Sequence, residues 1–383
     1  MNRLPHLFKL QAALEVLSQR TDVLPAVGGA IEDELRPDAD EIQDQEATKE
    51  DQLLDEPFEF GQSNAYVPLQ PLKRPEQHVF RFFQDGSMRS FFIGTCLEHD
   101  RQTPVILGQV GCMALFRHDD GRLATGPNEF RHVLMVAFSQ ISSELKSQLE
   151  AVVAPLGPNY YLADIESKGR EGQDLRARAA DTMRSEMTKA EMDVLTRVAE
   201  AAGPDQGIVI DGAVRIAQYD RLRAIYGEKQ PLLVGVSKSF SKTPRFKIGR
   251  GRHKEVNLWQ LLADLPEGNR TLAFKGQFAG RNTAVWYQRL RMRARMDYPL
   301  MGVIKVELPV LGTEPPPSEL VTKLSNALLA ERTVTPHGLD RRWHAHLYPV
   351  FQAERCVKNS FVSNAILRAG LHWPPAKPAG VKS

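Results

Sequence analysis

Residues 78–118 read HVFRFFQDGSMRSFFIGTCLEHDRQTPVILGQVGCMALFRH, and their pattern decides the fold class. HVFRFFQDGS ends on Asp-Gly, a common turn dipeptide. SFFIGTCLEH follows after two residues, and TPVILGQVGCMALFRH after a short polar gap. The spacing predicts three consecutive strands with hairpin-like connections. Outward from this block, EFRHVLMVAFSQISSELKSQLEAVV reads as helix, with a first half equally compatible with extended chain. QDLRARAADTMRSEMTKAEMDVLTRVAEAA reads as a long helix. GIVIDG (207–212) is then a short buried strand, AVRIAQYDRLRAIYG a helix and PLLVGVSK a second buried strand. The order β-β-β-α-β-α-β predicts an α/β fold, a mixed sheet flanked by helices. TLAFKGQF, TAVWYQRLRM and LMGVIKVELPV add C-terminal strands, followed by a proline-led helix at PPPSELVTKLSNALLAER and a last helix over YPVFQAERCVKNSFVSNAILRAG.

The chain has 383 residues, enough for two or three domains at roughly 150 each, or for one large domain with extensions. It divides into an N-terminal amphipathic helix (1–23), a flexible acidic linker (24–60), a main domain (61–375) and a disordered tail (376–383). No apolar stretch reaches the roughly 18 residues of a membrane-spanning helix, and the start lacks the small-residue cleavage site of a signal peptide. The three cysteines, Cys96, Cys112 and Cys356, are too scattered for a disulfide framework or a zinc site. They fit reduced thiols in a cytoplasmic protein. Charge is unevenly spread: residues 32–59 hold thirteen acids and two bases, which leaves residues 60–383 with a net charge of +12. A basic body behind an acidic segment suits a polyanionic partner, and equally a solvated surface beside a solubilising tail.

Two aspartates stand out. Asp85 closes the first apolar run and Asp211 closes GIVID. Carboxylates at the ends of neighbouring strands can share a hard divalent cation, although each Asp-Gly alone reads as a turn. A third acid is expected from the helix that precedes Asp211. The strand 207–211 climbs about 16 Å at 3.3 Å per residue. A helix ending near Ala202 brings Glu191, eleven residues back, down by about the same 16 Å. Glu186 overshoots by about 7–8 Å and is the alternative. Lys238, just past LLVGVS, is placed to neutralise a phosphate. Glu354 and Lys358 share a helix face, as a surface ion pair or with Glu354 as a fourth metal ligand, and Tyr348 lies one turn and a half earlier.

Two basic clusters offer phosphate contacts: Arg245, Lys247, Arg250, Arg252 and Lys254 in a Gly-containing loop, and the row Arg289, Arg291, Arg293 and Arg295. Alternation puts the row on one face of a strand, pointing to solvent or phosphates. Trp259, Trp286 and Tyr287 are aromatic neighbours that could stack bases or fill a core.

QDGSMRS, the helix around Glu191, GIVIDGAV, LLVGVSKS, AVWYQRLR with GVIKVELP, and HLYPVFQAE, in that order over residues 78–370, resemble the NurA family of nucleases. The resemblance implies an RNase H-like core and a metal-dependent DNA nuclease of 5′–3′ exonuclease and single-strand endonuclease type. It implies manganese, or magnesium, held by Asp85, Glu191 and Asp211, with Lys238 as a further catalytic residue. It also implies a homodimer partnered by a HerA-type hexameric translocase, in DNA end resection, repair or phage defence. The family's C-terminal motif pairs Tyr-Pro with a following Ala-His. Here Tyr348-Pro349 is present, but Glu354 follows Ala353. A catalytically degenerate DNA-binding adaptor of the translocase is the competing expectation.

Overall fold

In the computed structural model, the Asp85-Gly86 pair is no turn. Residues 80–98 form one strand, and its partner is equally long. The structure describes residues 6–30, 58–59, 64–73, 78–168, 172–203, 206–227, 231–240, 245–248, 254–278, 281–293, 297–310, 314–336 and 342–374. The N-terminal part runs through a short 3-10 turn (His6–Leu10), α1 (Gln11–Arg20), β1 (Asp22–Ala30) and β2 (Tyr66–Pro68). Then come β3 (Phe80–Glu98), β4 (Arg101–Arg117), β5 (Leu123–Val136), α2 (Ser143–Val153), β6 (Tyr160–Asp164), α3 (Leu175–Ala201), β7 (Gly207–Asp211), α4 (Ile216–Tyr226) and β8 (Leu232–Ser237). The C-terminal part comprises β9 (Arg245–Ile248), β10 (Lys254–Asn257), α5 (Leu258–Ala263), β11 (Asn269–Thr271), β12 (Phe274–Phe278), β13 (Arg281–Arg289) and β14 (Val303–Pro309). It ends with α6 (Ser318–Ala330), α7 (Tyr348–Ser360) and α8 (Asn364–Gly370).

Among the described residues, twelve strands make one mixed sheet, in the order β2-β11-β13-β14-β8-β7-β3-β4-β5-β6, with β1 also on β3 and β12 also on β13. β9 and β10 form a separate hairpin. β3, β4 and β5 are antiparallel neighbours, whereas β7 runs parallel to β3 and β8 parallel to β7. β3 stays unbroken because β4 pairs with it across the Asp-Gly site, Asp85 opposite Met113 and Gly86 opposite Cys112. Ladder hydrogen bonds outweigh a two-residue turn preference. One edge of β3 is shared: β7 takes Phe80–Gln84 and β1 takes Phe91–Leu97.

α3 and α4 cover one face of this sheet, with Val194, Leu195, Val198 and Leu222 packed on Phe82, Val110, Ile208 and Ile210. The opposite face carries α6 and α7 over Phe83, Val209, Val236 and Trp286. Further along that face, Leu7, Leu10, Leu14 and Leu17 are fully buried against Phe91, Val105, Leu107 and Leu134. At roughly 1.5–3 kcal/mol per buried leucine, the N-terminal helix is part of the core and not an appendage. The acidic linker is shorter than the sequence suggests. Its first residues belong to β1, and at its far end the backbone of Phe58 donates to Ala273 while Glu59 is buried. Residues 31–57 and 375–383 lie outside the described residues. The last helix is two, α7 and α8, with extended residues between them. Among the described residues, no helix is long and apolar enough to cross a membrane.

Candidate functional site

The parallel register of β3 and β7 pairs Gln84 with Ile210. One residue further on each strand stand Asp85 and Asp211, side by side. Alternation puts both on the α7 face, like Phe83 and Val209 before them. β7 stops at Asp211 because Gly212 takes a positive φ of 88°, which turns the chain away. β8 continues past it. Two residues beyond Val236, on the same face, Lys238 brings its Nζ to 3.0 Å from Asp211 Oδ2. α7 closes this side with Glu354, whose Oε1 accepts from Lys358 Nζ at 2.5 Å.

Glu191 arrives from the other face. Gln84 points toward α3 and donates through Nε2 to the Glu191 carbonyl at 2.9 Å. Above the sheet the Glu191 carboxylate lies over Gly86. A Cβ there would stand 2.7 Å from Glu191 Oε1, so a larger residue at position 86 would push the carboxylate aside. Arg215, the residue before α4, donates to Glu191 Oε2 at 2.6 Å. Its own backbone N–H is held by the Gln218 side chain. The acids thus meet where β7 ends, beside the unshared stretch of β3.

The electrostatics follow from this crowding. Burial, then the nearby Asp211, Glu354 and Glu191, push the Asp85 carboxyl well above the ordinary aspartate range, against the pull of Lys238. Burial also raises Glu191, with Arg215 opposing. Burial alone would raise Glu354, but Lys238 and Lys358 hold it below its usual value. Lys238 is likewise buried, which would lower it, yet Asp211, Asp85 and Glu354 keep its ammonium charged. Among the described residues, Asp85 Oδ2 is buried with no hydrogen-bond partner, a costly state for a polar atom.

As the side chains stand, no three His, Cys, Asp or Glu residues among those described are spaced to grip an ion. Lys238 and Arg215 sit against two of the acids. The donor set still suits a hard cation: four carboxylates converge from β3, α3, β7 and α7, and one oxygen is left unsatisfied.

Other residues singled out in the sequence lie elsewhere. Glu186 is buried lower on α3, paired with Arg131 at 3.1 Å and Lys189 at 2.5 Å. Tyr348 opens α7 with its ring half exposed. The arginine row is not a row, because β13 ends at Arg289. Arg289 is buried and donates to the carbonyls of Leu265, Leu262, Met301 and Pro299, so it ties α5 to the loop before β14. Burial and the neighbouring Arg293 push it down to about 10. Arg291 donates to the His344 carbonyl and lies over the Trp343 ring. Only Arg293 of the three is exposed, and Arg295 lies outside the described residues. Lys254 opens β10, and Arg245 and Lys247 lie in β9, where the sequence suggested a loop. Arg250 and Arg252 lie outside the described residues. Trp286 and Tyr287 are core residues, whereas Trp259 is partly exposed and meets Tyr298 edge-on.

Two residues of the site escaped the sequence reading. Gln84 is a polar residue inside an apolar run, which is a signal in itself. Arg215 puts a cation at a helix N-terminus, where the helix dipole disfavours it. No protein-family model matches this sequence, and no curated protein is significantly similar to it.

Proposed function

We propose that this chain is a divalent-metal-dependent DNA nuclease whose active site is the cluster of Asp85, Asp211, Glu191 and Glu354. The observation that carries the reading is Asp85 Oδ2, buried without a hydrogen-bond partner among the described residues while three more carboxylates act on it. Like charges crowded out of water cost folding free energy and are characteristic of functional sites. The strand order supports an RNase H-like core, with antiparallel β3, β4 and β5 continued by parallel β7 and β8 and crossovers through α3 and α4.

Manganese or magnesium held by Asp85, Asp211 and Glu191, with Glu354 as a fourth ligand, would supply Lewis acidity at the phosphodiester and acidify a bound water. Lys238, buried and charged beside Asp211, can donate to a non-bridging phosphate oxygen and offset the negative charge that develops there. Glu354 stays ionised under the influence of Lys238 and Lys358 and is ready to accept. DNA as the substrate rests on the +12 charge of residues 60–383 and on the NurA resemblance. The homodimer, the HerA-type translocase, and the action on DNA ends in resection, repair or phage defence rest on that resemblance alone.

The test is cleavage of linear DNA by the purified full-length protein with Mn²⁺. Degradation that stops with EDTA and falls to background in folded Asp85→Asn and Asp211→Asn is expected. Undiminished metal-dependent cleavage by either variant overturns the site. The second reading, a degenerate adaptor that binds DNA without cutting it, draws on the ion pairs that already neutralise Asp211 and Glu191. DNA binding with no metal-dependent cleavage would select it.

A further inference from the structure

Arg215 carries its charge at an end of α4 that does not favour a cation. It stands immediately before α4, at the end of the helix where exposed N–H groups repel a cation. Its side chain is close to half exposed, while the carboxylate it holds is largely buried. The backbone is pinned independently: Gln218 accepts from the Arg215 N–H, and the Glu307 side chain accepts from the Val214 N–H. The guanidinium can therefore leave Glu191 without disturbing the start of the helix. What keeps it in place is the Glu191 oxygen at 2.6 Å.

The Glu191 side chain is largely buried at this contact. The Glu191 carbonyl is held by Gln84, and the carboxylate is seated over Gly86, where even a methyl group would collide with it. A buried carboxylate in that position must be neutralised by something. One oxygen faces Arg215, and the acid lies within electrostatic reach of Asp85 and Asp211. A guanidinium and a divalent cation would thus be seeking the same carboxylate.

We infer that Arg215 is a built-in competitor of the metal at Glu191, a positioning residue that fills the cation's place at that acid and must be displaced for the site to load. The inference rests on the nuclease reading of the site. It assigns Arg215 a regulatory part: the arginine sets the concentration of metal the site requires and keeps the acids neutralised, and the fold intact, below it.

Mn²⁺ titration of the full-length protein by calorimetry, without DNA, tests this. Arg215→Gln removes the charge, and Mn²⁺ affinity should rise roughly 5- to 150-fold, the usual span of coupling between two binding events. Arg215→Ala makes the same test with no amide left to rebind Glu191. Arg215→Lys keeps a cation and should return most of the competition, so that its affinity lies near wild type. A residue that merely braced α4 would not tighten metal binding when removed. Asp85→Asn is the control that assigns the binding to this site. Mn²⁺ binding that depends on Asp85 but is unchanged or weakened in Arg215→Gln and Arg215→Ala overturns the competition and leaves the site standing. No Asp85-dependent binding in any of the proteins overturns both.

Discussion

Glu59 and Asp85 are buried to nearly the same degree, 7% and 6% exposed, yet their surroundings are opposite. Both oxygens of Glu59 are satisfied. Arg270 donates to each at 2.7 Å, the Ala273 N–H adds a third bond at 2.6 Å, and Ser318 adds a fourth. Burial alone would raise this carboxyl, but Arg270 and its companions hold it below the ordinary range. Asp85 has an oxygen with no partner among the described residues and carboxylates for neighbours, and its carboxyl is pushed up. Complete pairing turns a buried acid into a structural tie. Incomplete pairing stores unfavourable free energy at one place, which is what a ligand can release.

The largest effect should come from breaking the satisfied pair. Glu59→Gln leaves Arg270, fully buried, without its counter-charge, and should cost about 3–5 kcal/mol in urea unfolding. Because the folded carboxyl lies low, its contribution is full above the unfolded value near 4.3 and is lost as pH falls through the folded value. A cost under about 1 kcal/mol would make Glu59 an ordinary surface acid and end the comparison.

Next is a contrast within α3. Glu191→Gln should reduce metal-dependent cleavage by roughly a hundredfold or more, about 2.7 kcal/mol at the transition state. Glu186→Gln, which loosens only the tie to Arg131, should lose stability and keep its rate per folded molecule. The reverse outcome would move the third acid one helical turn and a half away.

Asp85→Asn should change stability in the opposite sense to Glu59→Gln. The folded carboxyl keeps its proton to a higher pH than the unfolded chain does. That contribution is full below the unfolded value near 3.9 and is lost as pH rises through the raised value. Removing the ionisable group should therefore stabilise the protein by about 0.5–2 kcal/mol at pH 7 in EDTA, a gain that vanishes near pH 4. Thermal melts at the two pH values read it, and a destabilised variant at pH 7 would mean that Asp85 is as well satisfied as Glu59.

The smallest effect separates two members of the expected arginine row. Arg293→Ala should lower the log–log salt slope of DNA binding by about 0.7–0.9, one phosphate contact. Arg289→Ala should instead destabilise the fold, since four carbonyls lose their donor. An unchanged slope in Arg293→Ala would take this exposed arginine out of the DNA path.

Much of the framework was legible residue by residue. GIVID and LLVGVS are apolar runs too short for helices, and both are strands. The expectation that Glu191 comes level with Asp211 rests on the rise per residue of helix and strand; in the fold, Arg215, four residues past Asp211, bonds the Glu191 carboxylate. β6 was missed, since TyrTyrLeuAlaAsp is short and carries no clear alternation. The Asp-Gly at 85–86 misled because turn preference is a local property, whereas the continuity of β3 is decided by β4 across the ladder. The arginine row misled for a related reason: alternation is meaningful only while the strand lasts, and β13 stops at Arg289, the first arginine of the row.

The sequence by itself determined the α/β class, a mixed sheet flanked by helices, and the short buried strands GIVID and LLVGVS, because these depend on period and length. Tertiary structure alone decided that Glu59, thirteenth acid of a polar stretch, is a core anchor for Arg270. It alone decided that Glu354 and Lys238 share a face with Asp85 and that Arg215 holds Glu191. The physical reason is the same in each case. Whether a buried charge is satisfied depends on groups distant in the chain, and only folding brings them within hydrogen-bond reach.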